Sequence, residues 1–218
     1  KRAFRADRAW VFKPRAYDWS CFYRDIFSIL KSYYRGKVII ENKSPIKIIP
    51  GNNRRSTHII VCLQYRRYRQ FRNPLERFTE GIVFYDLNSG KEIINYPKLH
   101  YLNGIRKNAP NKTMGRYKPI IRVFKNARNY LIENNALEES AAPSYFLECL
   151  LYNAPDNAYR GSLRDVYLNI IASLLDADFN DLLCQNEQTY LFGSSPDQWS
   201  LQDAVKFLSA MIDLWRNW

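Results

Sequence analysis

Between positions 17 and 34 the apolar residues recur at Phe22, Ile26, Ile29, Leu30 and Tyr33, the three-and-four spacing of a helix that buries one stripe. Asp18 stands where an N-cap is needed and Gly36 where the helix should stop. The period then changes. Val38, Ile39 and Ile40, followed by Ile46, Ile48 and Ile49, predict two strands joined by a polar turn over 41–45. Residues 57–65 form an almost continuous apolar run, the pattern of a strand covered on both faces. Residues 81–85 and 92–94 predict two more strands, linked by the turn Asn88-Ser89-Gly90. From about 118 onward the spacing is helical over 118–135, 143–153, 161–176 and 200–216, with the breakers Pro143, Pro155, Gly161, Gly193 and Pro196 between them. The expected fold class is α+β: a helix and small sheet within 1–118, then a helical bundle over 119–218.

Composition supports a packed core, with 218 residues, 46% of them hydrophobic and 15% aromatic. No run reaches the roughly 20 apolar residues that cross a bilayer, and the first residues, with Lys1, Arg2, Arg5 and Arg8, lack an apolar signal stretch. A cytoplasmic protein with no membrane partner is expected. Cys21, Cys62, Cys149 and Cys184 are far apart in apolar company, without the CxxC pairs of zinc sites, so buried reduced thiols and no metal are expected from them.

Charge is unevenly placed. Residues 1–118 hold 26 Lys/Arg against 8 Asp/Glu, a net of +18, whereas 119–218 hold 7 against 13, a net of −6. The basic half suits a polyanion, namely a nucleoside triphosphate, RNA, DNA or an acidic protein, or else is a solvated face.

Two segments could carry chemistry. On a helix, Lys118, Arg122, Lys125 and Asn129 fall within about 60° of one another, opposite Ile120, Val123, Phe124, Ala127 and Leu131. Such a row of cations suits an array of phosphate oxygens, and equally suits a solvated helix face. Next, Pro143-Ser144-Tyr145 opens a helix whose free N–H groups suit a phosphate; Ser144 adds a hydroxyl, and Tyr145 a ring that could stack on a base or merely pack.

The ordered series Tyr117-Lys118, Arg122, Lys125-Asn126, Arg128-Asn129, then the run from Pro143-Ser144-Tyr145 to Tyr152-Asn153, resembles the CD-NTases, the bacterial relatives of cyclic GMP-AMP synthase and oligoadenylate synthase. The resemblance extends through 81–84, Asn95-Tyr96-Pro97-Lys98-Leu99-His100, Leu191-Phe192-Gly193 and Trp199-Ser200 to Trp215, and covers roughly 17–218. It implies part of a polymerase-beta-like nucleotidyltransferase sheet followed by a helical domain, and an activity that makes cyclic or linear oligonucleotide signals from ATP or GTP in antiphage defence. It also implies that Lys125, with Arg122 and Lys118 beside it, contacts the triphosphate, that Ser144 holds the terminal phosphate and that Tyr145 stacks on the base.

The family holds two Mg2+ ions with three carboxylates, because hard oxygen ligands must bridge metal and triphosphate. The position matching the third acid is His58, a poor magnesium ligand. For the first two, only Asp7 in the stretch 6–12 could serve, with Ala9 where a second acid would stand. The Gly-Ser pairs at 161–162 and 193–194 lie too far downstream to be the family's phosphate-gripping turn. The resemblance therefore implies a truncated or catalytically degenerate member that keeps its nucleotide grip. The alternative is a non-catalytic module holding nucleic acid or a protein through Arg54, Arg55, Arg66, Arg67, Arg69 and Arg72, which are interleaved with Tyr65, Tyr68 and Phe71.

Overall fold

The computed structural model describes residues 17–40, 45–51, 53–70, 77–195 and 197–217. The class is α+β, with two three-stranded sheets and seven α-helices among the described residues. The chain forms two compact units, one of residues 1–65 and 82–93, the other of 66–81 and 94–218.

The first unit begins with α1 (Trp19–Tyr33), started by Asp18, whose carboxylate accepts from Cys21 N at 2.9 Å. Its end is a left-handed turn: Gly36, with φ of 78°, donates from its N–H to Lys31 O at 3.0 Å. Strands β1 (Val38–Ile40), β2 (Ile46–Ile48) and β3 (Thr57–Ile59) pair antiparallel in that order. Alternation along β2 buries Ile46 and Ile48, which pack with Trp19, Tyr23, Val38 and Val61. The Trp19 indole donates to Val61 O at 2.9 Å and so claims a carbonyl that a strand ladder would otherwise use.

That bond marks a correction to the expected strand over 57–65. The run divides into β3 and β4 (Leu63–Gln70), and Ile60 is 45% exposed, so the strand is not covered on both faces. The second sheet runs β4, β5 (Arg77–Tyr85), β6 (Glu92–Asn95), and through its strands the chain passes from one unit to the other. The turn between β5 and β6 is tied by buried Asp86, which accepts from Asn88 N at 3.0 Å and Ser89 N at 2.7 Å. The expected turn over 41–45 lies, apart from Pro45, outside the described residues.

The second unit is helical: α2 (Pro97–Lys107), α3 (Pro110–Thr113), α4 (Tyr117–Glu133), α5 (Ser144–Asn153), α6 (Leu163–Leu175) and α7 (Leu201–Arg216). Its core joins α4 (Phe124, Leu131), α5 (Leu147, Leu150, Leu151), α6 (Ile170, Leu174) and α7 (Phe207, Leu208, Met211). Burial of these side chains, each worth about 1.5–3 kcal/mol, fixes the helices that carry the site. Ser162 and Asp165 form a reciprocal capping box at the start of α6. The segment between α6 and α7 is a 3-10 turn (Phe179–Asp181) followed by turns and bends, with isolated bridges from Leu183 to Tyr190 and from Phe192 to Trp199, and it carries Cys184, Gln185 and Asn186 as buried residues. Among the described residues no helix is long and apolar enough to cross a membrane.

Candidate nucleotide site

In α4 the row predicted from spacing is present. Lys118 and Arg122 are exposed and Lys125 is half-buried, while Tyr117, Ile120, Ile121, Phe124 and Leu131 turn inward. The cations line a cleft of about 290 Å³, with His100, Tyr101 and Gly104 from α2 and Glu148 from α5. Lys118 holds its ammonium 5.7 Å from the Tyr101 ring centre.

Lys125 is paired with Glu148 through Oε1, and Glu148 Oε2 lies 3.1 Å from His100 Nε2. Burial pushes the Glu148 carboxyl up, but the hydrogen bonds from His100 and Lys125 and the lysine charge hold it below the ordinary glutamate value. One turn along α4, Arg128 donates from Nη1 to Ser144 Oγ at 3.2 Å and to Ala142 O at 2.8 Å. These two rungs place Lys125 and Ser144 along one seam between α4 and α5. Ser144 is exposed and is the first helical residue; the N-cap is Pro143, and Ser144 lies outside the lining of the cleft.

Tyr145 stacks on His100 with ring centres 5.1 Å apart and planes at 21°. Its hydroxyl donates to Asn95 Oδ1 at 3.4 Å and accepts from Asn186 Nδ2 at 3.3 Å. Burial pushes the pKa of this hydroxyl far above the ordinary tyrosine value, so the hydroxyl stays neutral. Gln185 closes the base of the cleft: its amide donates to His100 O at 2.7 Å and accepts from the Tyr117 hydroxyl. Gly104 makes room for it, since a Cβ there would stand 2.5 Å from Gln185 Nε2.

Sequence spacing brought out Lys118, Arg122, Lys125, Ser144 and Tyr145 but passed over Glu148, Arg128 and His100 as working groups. Glu148 is one helical turn from Ser144, and Arg128 three residues from Lys125, so both were accessible to the same periodic reading. Gln185 and Asn186 had no local signal, because they reach the site from a segment without helical or strand period.

Asp7 and Arg72 fall outside the described residues. His58, in the first unit, is exposed and pairs across the β2–β3 ladder with Lys47, which sets an imidazole and an ammonium on one sheet face. Neither side chain is one of the oxygen ligands that Mg2+ prefers. Among the described residues no group of three or more His, Cys, Asp or Glu could hold a metal ion. Arg54, also in the first unit, lies over the Tyr34 ring at 4.6 Å and donates to Ile49 O at 2.9 Å, while Arg55 is exposed. Arg66 lies over Phe78 at 4.5 Å, beside Tyr68; strand alternation turns exposed Arg67 and Arg69 to the opposite face. Cys149 and Cys184 are buried thiols, whereas Cys21 and Cys62 are partly exposed.

The helical unit thus presents a cation row, a hydroxyl and a stacked tyrosine along one seam, and its family is that of a nucleotidyltransferase helical domain. Residues 102–216 match the cGAS/DncV-like nucleotidyltransferase C-terminal helical domain. The chain is 42% identical to the cyclic UMP-AMP synthase of Rhodothermus marinus over 215 residues, covering 97% of this chain and 72% of that protein. It is 37% identical to the cyclic nucleotide synthase CdnE01 of Staphylococcus haemolyticus, covering 95% and 70%. The solved structure of the Rhodothermus marinus CdnE c-UMP-AMP synthase with Apcpp and Upnpp superposes with a TM-score of 0.81, covering 100% of this chain and 73% of the other. That of the Elizabethkingia meningoseptica CdnE cyclic dinucleotide synthase with GTP and Apcpp gives 0.72 at 29% identity, covering 93% and 73%. The chain belongs to the CD-NTase family.

Proposed function

We infer that the cleft between α2, α4 and α5 binds a nucleoside triphosphate as the nucleotide-gripping part of a CD-NTase-type synthase in cyclic-oligonucleotide signalling. Lys125, Arg122 and Lys118 face the phosphates, Ser144 and the N-terminus of α5 take the terminal phosphate, and Tyr145 carries the base. The observation that supports this most directly is the shared seam: Lys125 bonds to Glu148 and Arg128 to Ser144, so cations, hydroxyl and ring stand side by side on two packed helices. Relatives solved with Apcpp, Upnpp or GTP belong to the same fold.

The chain as it stands binds nucleotide without joining it. When bound, Mg2+ would supply charge neutralisation and an activated hydroxyl. The position matching the third acid carries His58 across the ladder from Lys47, so no carboxylate stands at that position for a divalent cation. Incubation with labelled ATP, GTP and UTP and either Mg2+ or Mn2+, followed by chromatography, should give no phosphodiester product while nucleotide binding is retained. A metal-dependent product that disappears in Lys125→Ala would overturn the non-catalytic part of this reading and keep the site.

The alternative of nucleic-acid binding through the arginines finds less support. Arg54 is engaged within its own unit, and Arg66 stacks away from Arg67 and Arg69. Steeply salt-dependent RNA or DNA binding that is abolished by replacing Arg66, Arg67 and Arg69 together would restore it.

A further inference from the structure

We propose that Glu148 is a positioning residue with two opposed effects on the ligand: it competes with phosphate for Lys125, and it steadies the aromatic platform of His100 and Tyr145. The proposal rests on the reading of the cleft as a nucleotide grip.

A carboxylate lining a cleft meant for a polyanion demands an explanation. Glu148 repels phosphate, and it occupies the lysine that phosphate would use. Its second oxygen has a different partner. His100 Nε2 is 3.1 Å from Oε2, and His100 Nδ1 is buried with no hydrogen-bond partner. The tautomer with hydrogen on Nε2 satisfies the carboxylate and leaves no buried N–H unpaired. This bond, with Gln185 holding His100 O at 2.7 Å, sets the imidazole plane against Tyr145. One side chain therefore reaches both the phosphate-facing lysine and the stacking ring.

The two effects separate on substitution. Glu148→Ala removes the competing charge and the support for His100 together; Glu148→Gln removes the charge but keeps an amide oxygen that accepts from His100. Calorimetry at fixed low salt, with tripolyphosphate alone and with ATP, GTP and UTP, gives the phosphate affinity and the further gain due to the base. In Glu148→Ala tripolyphosphate should bind about three- to tenfold more tightly, the size of one part-buried charge pair. The gain from the base should shrink several-fold, about as expected for loss of one aromatic contact. In Glu148→Gln tripolyphosphate should tighten likewise while the gain from the base is kept.

Equal weakening of both ligands, or no change in either, would overturn the proposal. Where Glu148→Ala does not fold, the glutamine variant decides, and unchanged tripolyphosphate affinity overturns the competition. Wild-type protein that binds neither tripolyphosphate nor any of the nucleotides would instead remove the cleft's assignment, and this inference with it.

Discussion

Ser144 and Glu148 are one turn apart on α5, yet their contributions differ in kind. Ser144 makes no capping bond, because Pro143 holds the N-cap position, and it is exposed. Ser144→Ala should therefore leave urea-unfolding stability within about 0.5 kcal/mol of wild type, while weakening triphosphate binding. Glu148 has its carboxyl held below the ordinary glutamate value by His100 and Lys125 against the effect of burial. A depressed carboxyl contributes stability that is present above its unfolded value, about pH 4.3, and is lost as pH falls through the lower folded value. Thermal melts taken from about pH 5 down to pH 3 should thus fall more steeply for wild type than for Glu148→Gln. Parallel slopes would mean that the ion pair adds nothing to the fold. The cation row was legible in the sequence because helical period orders it. The same period places Glu148 one turn beyond Ser144, but only the packing of α5 on α4 shows that it reaches Lys125.

Elements were readable where their own signals were local. Asp18 starts α1, Ser162 starts α6, and the Asp86 turn closes β5 onto β6, each through side-chain bonds spanning two or three residues. Ser162→Ala should cost about 1 kcal/mol in chemical unfolding, since it removes one half of the capping box and leaves Asp165 without its partner hydroxyl. A change near zero would show that α6 is held by its buried face alone. α2 escaped the periodic reading for a physical reason. Its buried positions are Asn103 and Gly104, while Tyr101, Leu102 and Ile105 are exposed, so no apolar stripe marks its inner face. The helix is instead fixed by polar bonds: Asn103 donates to Gln185 O at 2.9 Å, and Lys107 donates to Ala154 O at 2.6 Å. The strand expected over 57–65 divided because Trp19, distant in sequence, takes the Val61 carbonyl.

For the whole molecule, the charge imbalance between 1–118 and 119–218 is a real property of the sequence, but its concentration at one site is modest. Lys118 ends the basic portion, and the cleft draws on three cations answered by one carboxylate. Ligand binding should accordingly weaken with salt, with a dependence set by a few charges rather than by the total of +12. The family could be read from ordered motifs because the helical unit keeps them on packed helices. That His58 is an imidazole and not an oxygen ligand is read from residue identity alone, and the β2–β3 register sets Lys47 across from it.

The central claim, that the α4–α5 seam grips a triphosphate, is tested most directly by calorimetric titration of ATP, GTP and UTP into wild type, Lys125→Ala and, as a control, Lys206→Ala at an exposed position of α7. Loss of affinity of about tenfold or more in Lys125→Ala, with Lys206→Ala unchanged, is the expected result. Equal affinity in all three proteins, for every nucleotide that binds, would contradict the assignment of the cleft.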